Sequence, residues 1–597
     1  MTEMVEGAGK TVHRRRRKRP HSTAVLSFAA TSVLGFSSAL AASSALIFFT
    51  TALLGVAISY DKLAALGRMQ LITVGLMIAW SIGYLNQATS EDGTVGITSV
   101  IAAWLAFLLG VVYLLTADWQ AWGVAKPEIL QSPAAILLTW LPNQDDGVVI
   151  NGNVAASGLV PLIGLGIGGS AWLWRRNRIA SIATFITLAF AGLAMQTTNS
   201  QGAYLGLGAG CAVGAYLYKR TGVWQEKHWR FVTDGLLILL FTALIVGFLW
   251  AMIRPDAAGP LGKGAADNSA LNRAQLWHDV LPLILDYRFT GSGLADSMPI
   301  LSAYLFLLHV GFLSHAHNLY LQIALTQGLP GLITFLGMTI AALISLITIL
   351  GYGSKDQRLL AAGTLIALIG ILVHGLVDAA LYVSVLVPLL FLPLGAAGAL
   401  RCTPYQAHSR RQSRSTRIQA ASGTLAPLAL ILCLFLLPGS RAAFQTNLGA
   451  VSQTAMELSA YRRPEWPIQD AVRRSYQEAL TPAIQRYAAA YRYNPDNAGA
   501  GRRLGQIAVS FNEIDRAQQY LERAYHAQPG DRTTRQMLGE VYALQGRTDD
   551  AVRLWTTIDV QAGQLQIRQW WWQTYGTPEQ QTRFTAALTQ LQAKSGP

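Results

Sequence analysis

Three short stretches of this chain hold residues that could do chemistry. "SHAHNLYLQIALTQGLPGLI", residues 314–333, sets His315, His317 and Asn318 directly before a run apolar enough to enter a membrane. Imidazoles are costly to leave unpaired at a bilayer boundary, so the pair asks for either a structural partner or a reaction. "NRAQLWHDVLPLILDYRFTGSG", residues 272–293, puts Arg273 and Trp277 one helical turn apart, with Leu276, Val280, Leu283 and Ile284 as the apolar face. The plain reading of this second stretch is a helix on the membrane surface with Arg273 as a solvated charge. Asp378, in "HGLVDAALY" (374–382), is the third candidate and falls at a polar turn between apolar blocks.

Whatever positions these residues is built largely from membrane helices. Of 597 residues, 52% are hydrophobic and 13% charged, and the apolar ones fall in long blocks. The net charge of +14 sits in short clusters between those blocks, where it reports orientation and does not imply a nucleic-acid partner. Three cysteines, Cys211, Cys402 and Cys433, offer neither a disulfide framework nor metal-ligand spacing. "HRRRRKRP" (13–20) reads as a cytoplasmic anchor ahead of the first membrane segment.

The fold class expected is all-α: a polytopic transmembrane bundle followed by a soluble α-solenoid. Apolar spans are read at 22–60 (as two crossings), 69–86, 97–117, 155–174, 179–196, 199–218, 231–252, 319–350, 359–377, 380–400 and 418–439. Basic connections at 175–178, 219–230, 355–358 and 401–417 are assigned to the cytoplasm, which puts 254–318, Asp378 and everything after 439 outside. Parity then demands either that the short piece 129–141 crosses or that 22–60 crosses once. The first reading is adopted, for about 12–13 spans. The resulting domains are a basic cytoplasmic N-terminus (1–21), a transmembrane domain (22–440) with an outward loop at 254–318, and an extracytoplasmic repeat domain (441–597).

In that last segment a shift of 34 residues aligns Ala483, Ala517 and Ala551, Leu504-Gly505 with Leu538-Gly539, and "AAYRYNP" (489–495) with "RAYHAQP" (523–529). This is the period and pattern of tetratricopeptide repeats. Small residues at these offsets let helices pack closely, and Pro495 and Pro529 end the second helix of each pair. Such arrays bind peptides, scaffold partners or cap a neighbour, so the pattern speaks to fold more than to function.

"HAHNLYLQIALTQGLPGL" resembles the signature of the bacterial O-antigen ligase and polysaccharide polymerase superfamily. "RAQLW" with "YRFTGSGL" is similar to its arginine-tryptophan helix and glycine turn, "INGNVAASGLVPLI" (150–163) to the opening of a middle span, "TTNSQGAYLGLGAG" (197–210) to its polar-glycine motif, and "HGLVDAALY" to its aspartate turn. The five occur in family order over about residues 130–400. The resemblance implies transfer of a glycan from a polyprenyl diphosphate carrier to an acceptor hydroxyl at the outer face of the bacterial cytoplasmic membrane, with inversion. His317 matches the family's base position, and neutral histidine suits deprotonation of a hydroxyl near pH 7. His315, Asn318, Asp378 and Trp277 are then supporting or acceptor-side residues. Arg273, a fixed fork of donors, suits the leaving diphosphate. Where relatives commonly carry arginine this chain has Gln201, so another cation, Arg288 or Arg254, must compensate, or the donor is bound differently. The aspartates of the outward loop (Asp256, Asp267, Asp279, Asp286, Asp296) form no close pair, so neither a metal nor a cofactor is expected.

The expected partners are the lipid-linked donor, a glycan, lipid or protein acceptor, the membrane, and a protein partner on the repeats. A protein O-oligosaccharyltransferase would use the same chemistry on another acceptor. A non-enzymatic transporter or flippase is the competing class; transporters tend to place charges mid-span and to show internal repeats, whereas here the clearest polar constellation lies in one outer loop and no duplicated halves are seen. A membrane anchor for the repeats would need only one or two spans.

Overall fold

The computed structural model describes residues 21–89, 93–117, 119, 125–140, 150–222, 269–309, 313–401, 414–459, 469–558 and 562–595. The basic N-terminus, the span read at 231–252, Arg254 and most of the 401–417 loop lie outside them. All regular structure among the described residues is helical.

Among the described residues, eight helices are long and apolar enough to cross a membrane, making this a multi-pass membrane protein. They lie within α1 (His21–Ile58), α2 (Lys62–Thr89), α3 (Gly93–Thr116), α5 (Gly152–Trp174), α6 (Arg178–Thr197), α9 (Leu319–Tyr352), α10 (Lys355–His374) and α12 (Arg414–Leu436). Between them come α4 (Glu128–Trp140), α7 (Gln201–Gly222), α8 (Ser269–Asp286) and α11 (Val387–Arg401).

Two expectations are corrected. The 22–60 stretch is one uninterrupted helix and not two crossings, because nothing in its run of alanine, leucine, serine and phenylalanine breaks the backbone. At 13 residues, or about 20 Å of rise, α4 is too short for the roughly 30 Å hydrocarbon core, and Ile129 and Ile136 on it are exposed. Both changes keep the parity that the basic loops require.

The middle of the bundle is held by glycine-mediated approach. A Cβ on Gly164 would stand 2.6 Å from Ala367 Cα, and one on Gly168 would stand 3.0 Å from Gly363 Cα, so α5 and α10 touch backbone to backbone. One end of the bundle gathers charge, with Arg175 and Arg176 pairing with Asp356 at 3.0 and 2.6 Å. The opposite end carries His315, His317 and Asp378.

After α13 (Ser440–Ser459), a stack of short helices follows: α14 (Thr481–Tyr493), α15 (Ala498–Ser510), α16 (Ile514–Ala527), α17 (Arg532–Leu544), α18 (Thr548–Trp555), α19 (Ala562–Tyr575) and α20 (Pro578–Ser595). The 34-residue spacing reappears in three dimensions. Ala483, Ala517 and Ala551 are all buried, α14 and α16 each end two residues before their proline, and Asn497 and Asp531 cap α15 and α17. Gly505 lies against Leu521, and Gly539 lies the same way against Trp555.

This stack is clamped onto α8 and the chain that follows it. Asp286, at the end of α8, accepts from Arg502 Nη2 at 2.6 Å and Arg503 Nε at 2.9 Å, and Arg502 also pairs with Asp531 at 2.7 Å. Asn447 of α13 accepts from the backbone N–H groups of Phe289 and Thr290 at 2.8 and 3.2 Å. Gln506 donates to the carbonyl of Ala303 at 3.0 Å, and Arg503 stacks 3.8 Å from the centre of the Tyr304 ring. All four of the ionic partners are buried.

Candidate functional site

The sequence His-Asn before an apolar run is first of all a helix start. Asn318 adopts extended backbone, and its side-chain oxygen accepts from the N–H groups of Tyr320 and Leu321 at 3.0 Å each, capping α9. Its amide nitrogen donates to the Leu376 carbonyl at 2.7 Å, and the Leu319 N–H donates to the Gly375 carbonyl at 2.8 Å. These bonds stitch the histidine segment to the turn that follows α10, and that turn carries Asp378. Asn318 is fully buried, its side chain spent on holding the turn, which accords with the supporting alternative of the role expected of it.

The stitching brings three titratable groups together. His315 Nε2 stands 3.8 Å from Asp378 Oδ1 and His317 Nδ1 stands 3.7 Å from Oδ2, with the two imidazole centres 4.2 Å apart. Both ring nitrogens are buried and lack a hydrogen-bond partner among the described residues; the carboxylate they face is just beyond hydrogen-bond range. Burial pushes the Asp378 carboxyl up, but the two imidazoles on either side outweigh it and hold the group well below the usual carboxylate range. Asp378 is also fixed by the Ala380 N–H, at 2.6 Å from its Oδ1. His315 Nδ1 is 2.8 Å from Ser314 Oγ.

His317 has φ of +46°, a left-handed backbone that few residues with a Cβ adopt. The Trp277 indole N–H donates to its carbonyl at 3.3 Å and supports that conformation. Trp277 itself is buried. Arg273, one turn earlier on α8, is half-buried, makes no hydrogen bond or ion pair with the described residues, and lies close enough to His374 for their charges to interact. His317, Asp378, Trp277 and Arg273 are thereby gathered at one end of the bundle.

Two glycines set the level of the short helix that opens α9. Gly291 (φ +76°) and Gly328 (φ +71°) face each other. A Cβ on the first would overlap the Thr326 carbonyl, and one on the second would stand 2.9 Å from Gly291 N. The N–H groups of Ser292 and Gly293 donate to the carbonyls of Leu325 and Thr326 at 2.8 and 3.2 Å. Arg288 belongs to this lock, its carbonyl accepting from Leu329 N–H at 2.8 Å. Arg273 and Asp286 span about 20 Å of helical rise along α8, and Arg288 follows beyond that helix's end, at the opposite end from Arg273. Gln201, the first residue of α7, is exposed, and the adjoining Gly202 packs on Val377 and His374 beside the Asp378 turn.

Residues 183–336 match the family model described as O-antigen ligase. That stretch runs from α6 through α8 and the histidine pair into α9, and it supports a place in the O-antigen ligase superfamily and a membrane glycan ligase or polymerase type of function. No match was found among curated proteins or among solved structures.

Two features escaped sequence reading. His315, His317 and Asp378 place one ligand atom each within 4.8 Å of one another, a set that could hold a metal ion where the spacing of these residues along the chain suggests none. Arg68 of α2 lines a cavity of about 320 Å³ beside Ser314. Its signal was available, since a cation six residues inside an apolar helix is costly and usually has a task.

Proposed function

We propose that this protein is a membrane glycosyltransferase that moves a glycan from a polyprenyl diphosphate carrier to an acceptor hydroxyl at the outer face of the bacterial inner membrane. The observation that carries the reading is the Asp378 carboxylate set between His315 and His317, with the His317 carbonyl held by Trp277 one turn from Arg273. With Nδ1 of His317 turned to Asp378, Nε2 is left to take the proton of an acceptor hydroxyl. The acceptor oxygen bonds to the anomeric carbon as the bond from that carbon to the diphosphate oxygen breaks. The electron pair leaves with the lipid diphosphate, whose charge Arg273 meets as a bidentate fork. One displacement inverts the anomeric centre. Asp378 supplies the countercharge for the imidazolium, so no metal is required in this scheme.

Counting α7, the short α11 and the apolar stretch 231–252 with the eight long helices gives eleven crossings and an N-terminus in the cytoplasm. The Arg175–Asp356 end then faces the cytoplasm, and the histidine end faces outward with the C-terminal stack, which we read as a tetratricopeptide-repeat domain from residue 441. Its inner face is occupied by α8, so an acceptor or protein partner would dock on its remaining surfaces.

The test is donor binding and single-turnover transfer by purified Arg273→Ala and His317→Ala in one membrane mimic. Arg273→Ala weakens both, and Arg273→Lys recovers little, because a point charge cannot reproduce the fork. His317→Ala keeps donor affinity and lowers turnover on the order of 10²- to 10⁴-fold. Added chelator changes neither. Transfer by His317→Ala at the wild-type rate would refute the assignment of the base.

A further inference from the structure

The cavity beside Ser314 lies outside the machinery described so far. It is walled by α2 through Arg68, by the chain after the glycine turn through Asp296 and Ser297, by the first turns of α9 through Thr326, and by Tyr382 after the aspartate turn. Asp296 and Ser314 are exposed and form its mouth, while Ser297, Thr326 and Tyr382 are buried in its wall.

Its polar groups are held in place by the protein. Arg68 Nη1 donates to the Tyr382 carbonyl at 2.7 Å and the Tyr382 hydroxyl lies 3.2 Å from Thr326 Oγ1. Ser297 Oγ accepts from Gln322 at 2.7 Å, and Asp296 accepts from the Met298 N–H at 3.1 Å. The wall therefore presents a guanidinium, a carboxylate and several hydroxyls whose orientations are already set.

Charge decides what such a wall accepts. Arg68 and Asp296, opposite in charge, line the same cavity and lie within electrostatic range of each other. A phosphate would meet the carboxylate, a metal cation would meet the guanidinium, and a lipid chain would match neither charged group. A neutral ring bearing several hydroxyls, each both donor and acceptor, suits every group present. About 320 Å³ is the space of roughly ten waters, enough for a single sugar ring.

Position decides which sugar. The histidine segment begins at Ser314, on the cavity wall, and ends at His317, whose carbonyl is bonded to the helix carrying Arg273. A ring in the cavity thus has the imidazoles between itself and the diphosphate side, where an acceptor must stand. We infer that the cavity lined by Arg68, Asp296, Ser297, Ser314, Thr326 and Tyr382 is the subsite for a neutral acceptor sugar, an assignment that rests on the glycan-transfer reading above.

Saturation-transfer NMR on the full-length protein in lipid nanodiscs tests it, with glucose, galactose, N-acetylglucosamine and rhamnose as neutral probes and inorganic phosphate as the anionic one. At least one neutral sugar receives saturation in the wild type. That signal falls at least fivefold in Val383→Trp, which fills the cavity from its half-buried rim, and in Ser314→Trp, which blocks the exposed mouth without touching the core. It persists in His317→Ala. The same rim variants raise the KM for acceptor at least fivefold while donor affinity stays constant. Absence of binding by all four sugars, a sugar signal that survives both rim variants, or displacement of the sugar by phosphate overturns the subsite. The glycan-transfer reading is judged separately: it fails if His317→Ala transfers normally, even where sugar binding in the cavity is intact.

Discussion

Replacing Asp286 by asparagine tests whether the C-terminal stack holds the Arg273 helix in place. The carboxylate is 1% exposed and neutralises two guanidiniums across the interface, at 2.6 and 2.9 Å. Asparagine keeps the volume but removes the charge. Arg502 retains Asp531 at 2.7 Å, whereas Arg503 is left with the Tyr287 hydroxyl at 3.2 Å and the Tyr304 ring. Removing one partner of a buried pair costs about 3–5 kcal/mol, and the remaining partners place this case near the lower figure. About 3 kcal/mol corresponds to roughly a hundredfold rise in the population with the stack detached from α8. Hydrogen–deuterium exchange is the assay: amides in 269–286 and 498–510 should exchange on the order of a hundredfold faster where detachment limits exchange, with α5 and α10 unchanged. Turnover should fall with it, since Trp277 and Arg273 ride on the same helix. Wild-type exchange in both segments, with a folded protein, would refute the clamp.

Gly291→Ala, which puts a Cβ against the Thr326 carbonyl at positive φ, should lower stability by about 1–3 kcal/mol, read as a lowered Tm, and reduce transfer by displacing the opening of α9. The pH dependence of the repeat region has a definite sign. Burial pushes Asp470 and Asp531 up, but Arg568 with Arg473 and Arg502, respectively, outweigh it and hold both below the usual carboxylate range. Their stabilisation is fully present above the unfolded value near ~3.9 and is lost as pH falls through the lower folded values. Thermal melts of the full chain should therefore gain nothing from these two groups between pH 7 and 5 and lose their contribution below about pH 4. Finally, Asp515→Cys and Asp549→Cys, in a chain lacking Cys211, Cys402 and Cys433, should react with an impermeant thiol reagent in intact cells; reaction only after the membrane is breached would reverse the topology.

The sequence by itself determined what depends on neighbours along the chain. Apolar blocks announce membrane helices, Asn318 announces the start of α9, and the 34-residue spacing of Ala483, Ala517 and Ala551 announces the helical stack. Each signal acts within one helix or one helical pair, where propensity, capping and periodicity are complete without the rest of the molecule. Only the tertiary structure decided that Asp378 lies between His315 and His317, and that Arg68 and Asp296 share a cavity. It also decided that Asp286 is held by residues more than 200 positions away. Such meetings follow from how helices cross and how deep their charges are buried, and an ion pair leaves no pattern in either of the stretches that supply it.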